Sequence, residues 1–215
     1  MTVTIGGPIY PLSIEVLANG ARYTCERAPE PGPEPDPARG RVIAYSQRDL
    51  RWSKAHMGGT PQTVGGMGCA MLCASMVLSQ VAPDVLPGEF NAVLNERGGY
   101  NVVGSEAHLA WDRLPSIYPE LTWLGRESFM RPLYASEMDR IRGFIAEQPL
   151  PIWVDFRPLT SGLDTHFVLA ESWDGDDITI IDPWMGDRVG LLARYARTGQ
   201  DLARAIWGYR RLVVG

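Results

Sequence analysis

Cys69 is the candidate nucleophile of this chain. It follows the turn Gly65-Gly66-Met67-Gly68 and opens a small-residue, Met/Leu-rich run from Gly68 to Gln80 that reads as a helix. At a helix N-terminus the macrodipole stabilises a thiolate and lowers its pKa below the free value of about 8.5. The glycines before it are expected to let a substrate backbone approach closely, which makes Gly68 a candidate substrate contact. Cys73, one turn deeper, reads as a core residue. Cys25 has no charged or helical activator in view. Cys69 and Cys73 stack on one helical face, poor geometry for a disulfide, and three cysteines in all imply a free thiol. With no CxxC pair and no His-x-x-x-His spacing, neither a metal nor a cofactor is expected.

His166 is the candidate base. It lies in Thr165-His166-Phe167-Val168-Leu169-Ala170, a strand-like run after the loop Thr160–Asp164. A strand start beside a loop holds a backbone rigid while the side chain reaches a cleft. Asp182 is its candidate partner. The turn Trp173-Asp174-Gly175-Asp176-Asp177 should close a hairpin whose paired residue numbers sum to about 349, with an error of about two positions from the turn length. His166 then faces residue 183, beside Asp182. A carboxylate in that position fixes the imidazole tautomer and stabilises the imidazolium. Gln47 precedes Cys69 by 22 residues. Its side-chain amide, with the backbone N–H of the nucleophile, is the expected oxyanion donor. Trp184, next but one to Asp182, is the candidate cleft aromatic.

The elements that must carry these residues change character midway. Helical signals come first: Gly68–Gln80, Glu89–Arg97 closed by Gly98-Gly99, Ser105–Leu114, and Ser136–Gln148 with Ser136 as N-cap and Asp139 three residues on. After Pro149 the pattern is β: 151–156, 165–173, 178–182, 188–192 and 207–214. Helices followed by an antiparallel sheet predict an α+β architecture.

A separate piece precedes this domain. Residues 1–27 hold two alternating runs, Ile9–Leu17 and Arg22–Cys25, around Ala18-Asn19-Gly20, a hairpin signal. Two strands alone are marginal in water, so this piece is expected to pack on the main domain, a second copy or another protein, and the stiff proline spacer after it favours attachment to a larger assembly or a second copy. Residues 28–40 carry prolines at every second position from Pro29 to Pro37 and read as an extended polyproline II linker. The domain then spans 41–215.

Composition narrows the partners. A net charge of −5 with scattered basic residues argues against nucleic acid, since no basic stripe would release phosphate counterions. Apolar runs fall far short of the roughly 20 residues of a membrane span. The first residues lack a basic leader and an apolar stretch, so no secretory signal is expected and synthesis in a cytoplasm is. His56, in a loop, and His108, in the helix expected at 105–114, are weaker catalytic candidates. The acidic turn at Asp174, Asp176 and Asp177 supplies too few oxygens for calcium.

The stretches Tyr45-Ser46-Gln47-Arg48-Asp49-Leu50-Arg51-Trp52 and Thr63-Val64-Gly65-Gly66-Met67-Gly68-Cys69-Ala70 resemble the peptidase-like relatives of the bacteriocin-processing, double-glycine-leader cysteine peptidases. So do Phe90–Tyr100, Leu150–Asp155, His166-Phe167-Val168-Leu169 and Ile181-Asp182-Pro183-Trp184. The resemblance covers about 43–190. It implies a papain-like fold, with Cys69, His166, Asp182 and Gln47 at the matching catalytic positions and a peptide or protein substrate. It does not fix that substrate, because the family mixes leader processors, cell-wall enzymes and phage proteins. No transporter is attached here, and residues 1–40 match nothing in the family, which favours a free-standing hydrolase working in a cell-envelope or phage setting. The same residues would also serve an acyl transferase, and the same fold a structural module without turnover.

Overall fold

The computed structural model of the chain describes residues 40–155, 165–195 and 200–215, together with the backbone pairing of 15–17 and 20–22. Residues 1–34 and 35–215 form two separate units. In the first, β1 (Glu15–Leu17) pairs antiparallel with β2 (Gly20–Arg22), and Leu17 faces Gly20. Gly20, expected in the turn, is thus the first paired residue of the second strand. Most of the polyproline segment, Cys25 and the loop 156–164 lie outside the described residues.

The second unit opens with helices. The four-residue α1 (Val64–Met67) runs through Gly68 into α2 (Cys69–Leu78), and α3 (Pro87–Glu96) follows. α2 is apolar all round and buried from Met71 to Leu78, the signature of a central helix rather than a surface one. β3 (Tyr100–Val103) and β4 (Glu106–Leu109) form a hairpin, with Val103 opposite Glu106. This corrects the helix expected over 105–114. Gly104, at φ +60°, begins a two-residue loop, and the β-branched Val102-Val103 before it extends the chain. Ser105 therefore lies in a turn, not at a helix cap, and His108 is on a strand. Helix resumes only in the 3₁₀ turn Trp111–Arg113 and α4 (Leu114–Ile117).

Next come β5 (Leu121–Ser128), a strand not among those expected from the sequence, and α5 (Ala135–Glu147). The cap of α5 is Tyr134, not Ser136: the Glu137 carboxylate reaches back to accept the Tyr134 N–H at 2.8 Å. The strands β6 (Leu150–Asp155), β7 (Thr165–Asp174), β8 (Asp177–Asp182) and β9 (Asp187–Gly190) follow close to expectation. Leu191 and Leu192, expected to be extended, instead begin α6 (Leu191–Tyr195). Asp177 Oδ1 caps that turn by accepting the Leu192 N–H at 3.0 Å. The short α7 (Leu202–Ala205) leads into β10 (Ile206–Val214).

One antiparallel six-stranded sheet, ordered β5-β10-β6-β7-β8-β9, organises the domain, which is α+β. Period-two alternation splits its side chains between two cores. Leu169, Ile181 and Leu212 join α2 in the first. Val168, Ala170, Ile152 and Ile180 join α5 and α6 in the second. Among the described residues, no helix is long and apolar enough to cross a membrane.

Candidate active site

Gly68 shapes the start of the nucleophile's helix. It ends α1 and caps α2, and a Cβ there would sit 2.5 Å from the Val64 carbonyl oxygen and 2.9 Å from a Val64 methyl. The glycine is required for this internal close approach, because it is buried against Val64. Its expected role as a substrate contact is not what the packing uses it for. Cys69, the first residue of α2, stays partly exposed while its helix runs into the core.

The thiol meets the imidazole where the two cores abut. His166 stands in the β7 alternation of Val168 and Ala170, and its ring lies 6.0 Å from that of Tyr195 on α6. Its Nε2 is 2.9 Å from Asp182 Oδ1, leaving Nδ1 as the nitrogen for the hydrogen bond to Cys69. The β7–β8 pairs sum to 351 near the turn and 350 beyond the irregularity at Glu171, against the expected 349. That one- or two-residue offset still brings His166 onto Asp182.

Charges in the cluster support one another. Burial pushes the Cys69 thiol up, but the facing His166 and the backbone N–H groups of Phe167 and Ala70 outweigh it and hold the thiol below its ordinary value. Ala70 is in the first helical turn, whose N–H groups have no intrahelical carbonyl. Burial opposes the His166 cation, yet the Cys69 thiolate and the Asp182 carboxylate raise its affinity for a proton. The pair therefore favours thiolate–imidazolium. Cys73, fully buried, has its thiol driven up by burial first and then by the charges at Cys69 and Asp182. It is a core residue.

Asp182 is completely buried and fully hydrogen-bonded. Oδ1 accepts from His166 and from the Trp184 N–H at 2.8 Å, while Oδ2 accepts from Arg194 Nη1 at 2.8 Å and the Tyr195 hydroxyl at 2.7 Å. Against the upward push of burial, these partners hold the carboxyl at about 2. Arg194 also grips Asp187 through two bonds of 2.6 Å. Neither Arg194 nor Tyr195 was singled out from the sequence, because 188–192 reads as a strand that would carry the chain away from Asp182.

Gln47 is buried and bridges the two halves of the cluster. Its backbone N–H donates to the Pro183 carbonyl at 2.7 Å, and its Nε2 donates to the Gly65 carbonyl at 3.0 Å, four residues before Cys69. Its Oε1 is buried without a hydrogen-bond partner. Gly186, at φ +75°, makes the approach possible, since a Cβ there would meet the Ser46 Cβ at 2.8 Å.

A cleft of about 370 Å³ opens beside Cys69, lined among others by Met67, Trp111, Arg126, Phe167 and Arg210. Of the site residues expected from the sequence, Cys69 is among its lining residues and Gln47, Gly68, His166, Asp182 and Trp184 are not. Trp184 instead sets its ring edgewise to His166, centroids 6.5 Å apart, with the Arg48 guanidinium 3.9 Å above it. It packs against the base instead of lining the cleft. His56 is exposed, and its carbonyl serves Asn91 and Asn95. His108, also exposed, lies 3.2 Å from Glu106. Among the described residues, no group of three His, Cys, Asp or Glu is placed to hold a metal ion.

The fold and site define an α+β domain with a Cys-His-Asp chain at the junction of its two cores. No protein-family model, no curated protein and no solved structure matches the chain.

Proposed function

We propose that this domain is a papain-like cysteine hydrolase that cleaves a peptide or amide bond through a thioester intermediate. The observation that carries the reading is the continuous hydrogen-bond chain from the partly exposed Cys69 through the buried His166 to Asp182. The Cys69 thiolate attacks the scissile carbonyl, and the oxyanion forms against the Cys69 N–H and the second N–H of Gln47 Nε2. Imidazolium at His166 then gives its proton to the leaving amine as the C–N bond breaks. A water next loses a proton to His166 and attacks the thioester, releasing the acid and restoring the thiolate. Asp182 keeps the proton-bearing Nε2 turned toward itself, so Nδ1 handles the transfers. By the same reading the substrate is a cell-wall peptide or a protein precursor in a bacterial or phage setting.

The test is a thiol-directed electrophile followed by peptide mass mapping, with a screen of peptidoglycan and a diverse peptide library for new amines. Selective labelling of Cys69 at mildly acidic pH together with amine release is the expected result. An inert Cys69 and no new amine from either source would make the domain a scaffold.

A further inference from the structure

Arg210 is a buried cation with no acidic partner among the described residues. It is only 8 % exposed, on β10, the strand next to the edge strand β5. Its Nη1 donates to the Tyr209 carbonyl at 2.8 Å, and its Nε is buried without a hydrogen-bond partner among the described residues. The residue directly opposite on β5 is Arg126. Opposite residues in an antiparallel pair share a face, and like charges there are destabilising. Burial and the Arg126 charge accordingly lower the Arg210 proton affinity, to about 10. Neither arginine has a carboxylate partner among the described residues. The next residue, Arg211, shows the contrast: on the other face of the strand it reaches Glu147 at 3.1 Å and lies 3.9 Å over the Phe144 ring.

Both arginines line the cleft that Cys69 lines, and among the described residues no Asp or Glu lines it. The link to the thiol is short. The Phe167 N–H donates to Cys69, and the Phe167 ring lies 5.2 Å from the Arg210 guanidinium. We propose that Arg126 and Arg210 form a carboxylate-binding subsite, so that the bond cut by Cys69 lies near an acidic group of the substrate. This rests on the thiol-hydrolase reading and adds a substrate class to it. A guanidinium fork matches a carboxylate in two-point geometry, and an anion between two opposed arginines would offset their mutual repulsion. The carboxylate has two possible sources, an Asp or Glu side chain or a chain terminus.

Two measurements on the full chain test this. The first compares Cys69 alkylation by iodoacetate and by iodoacetamide, which differ in charge and hardly in size. The iodoacetate/iodoacetamide rate ratio should fall several-fold in Arg126→Gln, an exposed position where folding is not at stake, and again in Arg210→Gln. His166 is present in all three proteins, so its charge does not account for a difference. The second compares kcat/KM for peptides carrying Glu or Gln, each ending in a free acid or an amide. About a tenfold preference that follows the side chain or the terminus, and shrinks in Arg126→Gln, identifies the source. A reactive thiol whose reagent ratio ignores both arginines, or equal turnover of all four peptides, overturns the subsite alone. A Cys69 that reacts with neither reagent overturns the hydrolase reading and the subsite with it.

Discussion

Arg194 holds the same carboxylate that orients His166: Asp182 accepts His166 Nε2 on Oδ1 at 2.9 Å and Arg194 Nη1 on Oδ2 at 2.8 Å. The arginine stabilises the buried anion while offsetting part of its field at the imidazole. Arg194→Gln should therefore let the Asp182 carboxyl rise from about 2 and leave a more strongly negative partner facing His166. The alkaline limb of the kcat/KM profile should move to higher pH, and stability should fall by about 1–3 kcal/mol from the weakened buried network. Arg194→Lys should restore part of both. A profile that does not move in Arg194→Gln would make the arginine purely structural.

The Asp182–His166 bond also makes stability depend on pH at both ends. Asp182 has a depressed pKa, so its contribution is complete above the unfolded value of about 3.9 and disappears as pH falls through about 2. His166 has a raised pKa, so its contribution is complete below about 6.5 and disappears as pH rises through the higher folded value. Asp182→Asn should lose the first and part of the second, because the Cys69 thiolate also raises His166, and should shift Cys69 alkylation to higher pH. Urea midpoints of wild type and variant should differ most between about pH 4 and 6.5 and converge towards pH 2.

Cys69 and Cys73 should fail in different ways. Cys69→Ala removes the only thiol hydrogen-bonded to His166 among the described residues and should abolish turnover while keeping the fold, with a lowered melting temperature because buried His166 loses that partner. Cys73→Ala should keep turnover and lose about 1–2 kcal/mol of stability, because its side chain is wholly buried. Loss of activity in Cys73→Ala with full activity in Cys69→Ala would reverse the assignment.

Much of this site was legible because it depends on local signals. A glycine-rich entry before an apolar run marks Cys69 at a helix start. One tight turn at 174–177 sets the His166–Asp182 pairing to within two residues, since hairpin register propagates from the turn. The parts that were not legible depend on long-range geometry. Arg194 and Tyr195 reach Asp182 only because the chain turns helical at Leu191, and the cap that makes it do so, Asp177, is 15 residues away along the chain. Arg126 and Arg210 oppose each other through a pairing of strands 84 residues apart, one of which, β5, alternates in burial but carries Gly125 and Glu127 on its inner side and Leu124 on its outer one, so its residue types do not read as a strand. The helix expected at 105–114 failed for a local reason: Ser105 suits a turn after Gly104 as well as it suits a cap.

Gln47→Ala should lower kcat by about 10²–10³ and leave KM nearly unchanged, if its amide acts only on the developing oxyanion. The same change leaves the Gly65 carbonyl without its 3.0 Å donor, at a cost of about 1–3 kcal/mol in stability. Steady-state kinetics well below the melting temperature separate the two effects. An unchanged kcat with a lowered melting temperature would reduce Gln47 to a brace between the Pro183 loop and the turn before Cys69.

Removing residues 1–34 should leave the chemistry of the remaining domain intact. The break falls between the two separate units, and the second keeps its own first anchors. The Gly40 N–H donates to the Gln80 carbonyl at 3.0 Å, and the Val42 carbonyl accepts from Arg188 at 3.0 Å. A truncation beginning after residue 40 would remove the first of these, so the cut at 34 is the cleaner one. The truncated protein should match the full chain in melting temperature and in kcat on a small peptide. Association with a large target, such as peptidoglycan or a particle, should weaken in a sedimentation assay. Attachment through a second unit raises the effective concentration of the enzyme at a surface and adds nothing to the bond-breaking step. Loss of turnover on the small peptide would instead mean that the first unit takes part in the site, and the attachment role would then be abandoned.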